Sequence, residues 1–183
     1  MERHDFNNKP KTLPKFIRKE EISSMLSRAK NEGKKFSYRN YIILMTLSRT
    51  GMRADEIVKL RKRDINEKSI IVRQGKGKKD RMIPLDKELS GLLGLYTDHL
   101  TPKDRVFGMS SRQIRNIVYK YAPDGLDVHP HTLRHSFAVY CLQSGMNIRS
   151  LQKILGHSSL NTTQVYLDLV GKDVIDDFEK VIW

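Results

Sequence analysis

From His131 to Tyr166 the sequence reads HTLRHSFAVYCLQSGMNIRSLQKILGHSSLNTTQVY, an apolar helical pattern cut twice by glycine. Leu133, Phe137 and Cys141 recur at helical spacing ahead of Gly145. Ile148, Leu151, Ile154 and Leu155 do the same between Asn147 and Gly156. Glycine closes helices because it takes a left-handed conformation without steric cost, and Asn is a favoured N-cap. The pattern predicts two helices joined by a tight turn, then a third short helix, capped by Ser158 or Ser159, that closes at Tyr166. Helices this short and this tightly linked bring distant polar groups to one surface. His131 and Arg134 are three apart near the start of the first helix, so both face one way. His157 follows Gly156 directly, and Tyr166 comes nine residues after it. Two imidazoles, a guanidinium and a phenol on one surface suit phosphodiester chemistry.

The rest of the chain supplies the body that this stretch needs. Residues 1–15 are polar, carry Pro10 and Pro14 and show no periodicity, as expected of an extended arm or interdomain linker. A first helix is predicted from Arg18 to Lys30, with Ile22, Met25, Leu26 and Ala29 as its buried stripe. Tyr38 to Ser48 is apolar nearly all round, which predicts a central buried helix. Thr50-Gly51-Met52-Arg53 breaks it, and Ala54 to Leu60 starts another. Arg53 and Glu56 lie three apart at its first turn; by themselves they make either a surface ion pair or part of a site. Ser69–Arg73 and Arg81–Leu85 read as short strands around QGKGKKD, a basic hairpin. It is no phosphate-binding P-loop, because GxxxxGK[ST] is missing and no helix follows. Helices are predicted over Asp86–Thr97, Ser111–Tyr121 and Lys172–Val181. Arg112, Arg115 and Lys120 face outward on the second of these, and Arg105–Phe107 is briefly extended in the loop before it.

Charge points to the partner. Lys and Arg number 34 against 21 Asp and Glu, a formal net charge of +13, which favours a polyanion, foremost nucleic acid. With 183 residues the chain is large enough for one full core and short of two typical domains. No apolar run is long enough to span a bilayer, the N-terminus lacks the apolar stretch of a signal peptide, and Cys141 is the single cysteine. A reducing compartment, the cytoplasm, is the expectation.

HTLRH with LGHSSLNTTQVY resembles the second signature box of the tyrosine recombinases, the phage-integrase and Xer-type family. TGMRADEIVKLRKRDI resembles the first box, and GKGKKDRMIPL the family's active-site hairpin. The pieces run in the right order from Pro14 to Val181. The resemblance implies a mostly α (α+β) catalytic domain over residues 16–183, a helical bundle with a small antiparallel sheet. It also implies site-specific breakage and rejoining of duplex DNA. Arg53 and Arg134 would clamp the scissile phosphate, Glu56 would hold the geometry, and His131 would act as base. His157 would donate a hydrogen bond to the phosphate, Lys76 would protonate the leaving 5′ oxygen, and Tyr166 would be the nucleophile. Lys78, Lys79 and Arg81 are expected as DNA contacts.

Neither ATP nor metal is implied. His131 and His135 have the spacing of zinc ligands, but the intervening arginine would repel a cation; His129 and His135 are expected to be structural, with His135 hydrogen-bonded beneath the site. The family usually adds an N-terminal DNA-clamping domain, and no stretch here corresponds to one. Val174, Ile175, Phe178, Val181, Ile182 and Trp183 give the terminal helix an apolar side, which either folds back on its own domain or, by the same resemblance, docks on a neighbour in a tetramer on paired DNA sites. A type IB topoisomerase and a DNA-binding regulator without catalysis are the alternatives.

Overall fold

The computed structural model describes residues 14–73, 80–157, 159 and 161–167. Its axis is α2 (Ser37–Thr50), the helix that is apolar nearly all round. Ile42, Ile43, Leu44, Met45 and Leu47 on successive faces are all buried. A helix without a polar face must be covered on every side, and four helices do so: α1 (Lys19–Asn31), α4 (Lys87–Tyr96), α5 (Ser111–Tyr121) and α6 (Pro130–Gln143). Each such side chain removed from water contributes on the order of 1.5–3 kcal/mol.

Local signals set the ends of these helices. Asp86 caps α4 by accepting from the Glu88 and Leu89 N–H groups, and Ser110 caps α5 by accepting from Gln113 N–H. Pro130 opens α6, where its missing N–H costs nothing. α2 stops at Gly51, whose φ of 62° is left-handed. A side chain there would be doubly excluded, since its Cβ would lie 2.6 Å from Phe137 Cδ1 and 3.0 Å from Leu155 Cδ2.

After Gly51 the chain turns directly into α3 (Ala54–Lys59) and a 3-10 turn (Lys62–Asp64). A three-stranded antiparallel sheet follows in the order β1 (Ile65–Asn66), β2 (Ser69–Val72), β3 (Arg81–Pro84). Ile70 pairs with Ile83, and both face the core. The sequence pattern marked β2 and β3; β1 is too short for a period-2 signal and exists because Ile65 finds Ile70 opposite it. Arg105 forms a lone bridge with Arg61, and Val106 N–H reaches the Leu60 carbonyl at 2.9 Å, so the loop before α5 is tied to the end of α3.

The last part follows the glycine punctuation. Asn147 caps α7 (Ile148–Leu155), which ends at Gly156 with φ 67°. α8 (Asn161–Gln164) is one turn long, and Tyr166 lies in the turn just after it rather than closing the helix. Among the described residues no helix is long and apolar enough to cross a membrane. Residues 1–13 of the arm, the centre of the basic hairpin with Lys76, Lys78 and Lys79, and the expected terminal helix lie outside the described residues.

Candidate active site

Arg53 stands at the N-cap of α3 in extended conformation, placed there by the Gly51 break. Glu56, one turn on, reaches back to the Arg53 N–H at 2.8 Å and to its guanidinium at 3.1 Å. The same carboxylate takes both ends of the Arg81 fork, Nη1 and Nη2 each at 2.8 Å. Burial raises the Glu56 pKa, but the hydrogen bonds and charges of Arg81 and Arg53 outweigh it and leave the group below the usual carboxylate range. Glu56 is therefore an ionised joint between α3 and β3.

Arg81 departs from its expected role. Its side chain is only 9% exposed, and besides Glu56 its Nε donates to the Ile154 carbonyl at 2.7 Å. The guanidinium is thus held by partners inside the domain. It also packs over Gly156, where an added Cβ would come within 2.8 Å of Arg81 Cδ.

Arg134, on α6, is the most buried cation of the site, at 3% exposure. Its Nη1 donates to the Gly51 carbonyl at 2.6 Å and its Nη2 to the Leu155 carbonyl at 2.7 Å. These are the carbonyls freed where α2 and α7 end, so one guanidinium satisfies two helix termini. Burial, followed by the charge of Arg53, lowers its pKa to about 10, still well above neutrality.

Arg134 Nη2 also lies 3.0 Å from His157 Nε2. A guanidinium offers only donors, so His157 Nε2 is the acceptor and its proton resides on Nδ1, which faces Thr163 Oγ1 at 3.0 Å. Burial and the nearby Arg134 and Arg53 hold His157 down at about 4. Expected as a donor to phosphate, it is here a neutral acceptor on that nitrogen.

His131 sits in the first turn of α6 and is exposed. Its pKa is lowered, first by partial burial and then by Arg134 and Arg53, so it is neutral near pH 7 and able to take a proton. Tyr166 is the opposite case, with 2% exposure. Its hydroxyl lies 2.7 Å from Nδ1 of His135, a contact the sequence did not disclose although His135 adjoins Arg134. Burial raises the Tyr166 pKa, while Arg134 and Arg53 pull it back only in part.

His129 bonds the Tyr119 hydroxyl at 2.7 Å, and its Nε2 lies 3.0 Å from Asp127 Oδ1. Among the described residues no three His, Cys, Asp or Glu side chains converge as a metal site would require. A cleft of about 610 Å³ opens beside Arg53, lined by Lys59, Arg61, Arg63 and Arg73 together with Asp55, Glu56 and Asp64.

Arg134 on α6 bonds His157 in the turn after α7, and the charges of Arg134 and Arg53 act on His131, His157 and Tyr166 alike. Glu56, Gly51 and Leu155 fix the arginines. The phage integrase family matches residues 15–171. The tyrosine recombinase XerA of Pyrococcus horikoshii is 38% identical over 186 residues, covering 93% of this chain and 62% of the relative. The crystal structure of XerA recombinase superposes with a TM-score of 0.75 at 29% identity, over 95% of this chain and 68% of the other. The XerH site-specific recombinase bound to palindromic difH substrate, a post-cleavage complex, gives a TM-score of 0.71 at 25% identity, over 92% of this chain and 53% of that one. The chain spans about three fifths of the length of the curated relative named here.

Proposed function

This chain belongs to the phage integrase family, and on that premise we propose that residues 16–183 are the catalytic domain of a site-specific tyrosine recombinase acting on duplex DNA, with residues 1–15 as the arm leading into it. The observation that carries the reading is Arg134, fixed by the ends of two helices beside His157 and electrostatically coupled to Arg53. Gly51, Leu155 and His157 hold it without exhausting its N–H groups, which leaves donors for a phosphate.

In the proposed reaction a phosphodiester lies against Arg53 and Arg134, whose fixed donors take up the charge that grows on the non-bridging oxygens. Such pre-organised donors are worth roughly 10²–10³ in rate apiece. The Tyr166 oxygen attacks phosphorus, its proton passes to His131, and the P–O5′ bond breaks. Lys76 protonates the departing oxygen, giving a 3′-phosphotyrosyl link and a free 5′ hydroxyl. A bound phosphate adds negative charge beside His157, which raises its pKa and turns it into a donor. Attack by another 5′ hydroxyl reverses the steps, so bond energy is conserved without ATP or metal. Lys78 and Lys79 make phosphate contacts; the segment after Lys172 joins neighbouring subunits, a tetramer on paired sites, in the cytoplasm.

The test is incubation with duplex substrates nicked near a recombination site, so that cleavage releases a short strand and traps the intermediate. A covalent complex whose DNA-bearing peptide contains Tyr166, lost in Tyr166→Phe, is the expected result. A DNA-bearing peptide at Tyr119, Tyr121 or Tyr140 overturns it. Supercoil relaxation without exchange between two sites assigns the chemistry to a topoisomerase instead.

A further inference from the structure

Tyr166, the proposed nucleophile, stands inside the domain. Its side chain is buried, and the phenol hydroxyl is already engaged by His135 Nδ1 at 2.7 Å. We propose that His135 is a positioning residue for the nucleophile, holding the Tyr166 hydroxyl in a resting seat inside the domain from which bound DNA must draw it. The inference rests on the recombinase reading above and adds to it a residue with no step in the chemistry.

Three observations support the seat. First, the pair is neutral. Burial, then the charges of His131 and Arg134, holds His135 down at about 4, so near pH 7 its Nδ1 is free to accept from the phenol. Burial also raises the Tyr166 pKa, so the phenol keeps its proton. A neutral imidazole accepting from a neutral phenol is a stable contact that keeps the hydroxyl inside the domain. Second, the seat is local. Tyr166 packs with Ala138, Val139, Leu142, Leu151 and Leu155 in a cluster distinct from the main core, so it can leave without opening the body of the domain. Third, the element that carries it is slight. Tyr166 follows a single helical turn, and its N–H is held by the Thr163 carbonyl at 3.1 Å. Thr163 in turn meets His157, the residue that a phosphate would recharge, which connects phosphate arrival to the turn bearing Tyr166.

The experiment compares His135→Leu, which keeps volume and loses the acceptor, with His135→Asn, which places an amide oxygen near the position of Nδ1. Covalent complex formation on a nicked duplex at saturating DNA is the readout, with ultraviolet titration of the tyrosines in the free protein beside it. The expected result is that His135→Leu forms the complex several-fold faster than the unchanged protein, with His135→Asn close to it, while the titration of Tyr166, taken by difference from Tyr166→Phe, shifts in the Leu variant alone. Mere loss of structural support lowers the rate and cannot produce this pattern. A slower His135→Leu protein overturns the proposal, whether or not His135→Asn retains the rate; retention would make His135 a proton acceptor in the reaction. Equal rates in all three proteins overturn it as well. Failure of the unchanged protein to form any complex through Tyr166 would instead strike the recombinase reading itself.

Discussion

Among the described residues two hydrophobic clusters stand out, and they carry different halves of the site. The main core surrounds α2 and reaches from Ile17 to Ile154; it fixes Met52 and Ile57 on either side of Arg53 and Glu56. The smaller cluster joins α6, α7 and the turn after α8, and among its buried members is Tyr166 itself. Phe137 and Met146 touch both. The proposed phosphate-binding charges therefore stand on the rigid body, whereas the proposed nucleophile stands on a small outlying layer. Groups that must be pre-organised for a transition state belong where little can relax. A group that must travel belongs where leaving disturbs few contacts.

Arg134 is a side chain whose hydrogen bonds cross this division, from Gly51 on one side to Leu155 and His157 on the other. Arg134→Ala is expected to have the largest effect. Cleavage of a nicked duplex should fall by roughly 10³ or more, and denaturant unfolding should lose about 3 kcal/mol as two buried carbonyls go unpaired. Arg134→Lys should not restore either, because an ammonium cannot span both carbonyls. Normal cleavage in Arg134→Ala would show that the two halves do not depend on this link.

Truncations within each cluster sharpen the contrast. Ile43→Ala in the main core should cost about 4 kcal/mol, and Leu151→Ala in the outlying layer about 2–3 kcal/mol. Per kcal/mol of stability lost, Leu151→Ala should change the rate of covalent complex formation more, since it alters the seat of Tyr166. Equal ratios of rate loss to stability loss would erase the distinction.

Acid should loosen the outlying half first. His135 and His157 are held at about 4 in the folded chain against an ordinary value near 6.5. Between those values the unfolded state binds more protons, so stability is fully present above 6.5 and declines as pH falls toward 4. Thermal melts should show this decline, and His157→Gln should reduce it. Because both rings are about half buried, solvent screening keeps the effect modest. A melting temperature flat from pH 7 to 4 would contradict the assignment of both rings as neutral.

The smallest effect concerns DNA affinity. Lys78→Ala should lower the slope of log binding constant against log salt by about 0.9. Arg81→Gln should leave that slope unchanged while lowering the melting temperature, since its charge is spent on Glu56. A slope change in Arg81→Gln equal to that in Lys78→Ala would return Arg81 to the DNA face.

Much of this molecule was legible in its sequence. The glycine breaks at Gly51, Gly145 and Gly156, the all-round apolar α2 and the capping residue Asn147 define elements through local rules, and local rules act within one or two turns of the chain. The convergence of Arg53, Arg134, His157 and Tyr166 was legible for a different reason, because their spacing resembles that of a known family. What only the tertiary structure decided are the partners of those groups. Arg81 has the composition of a DNA contact and became an internal brace because folding places Glu56 and the Ile154 carbonyl at its guanidinium. His135 looked like a structural neighbour of Arg134 and proved to hold the Tyr166 hydroxyl. A side chain's type and spacing state what it can bond to; which bond it makes depends on groups dozens of residues away, brought within about 3 Å only by packing.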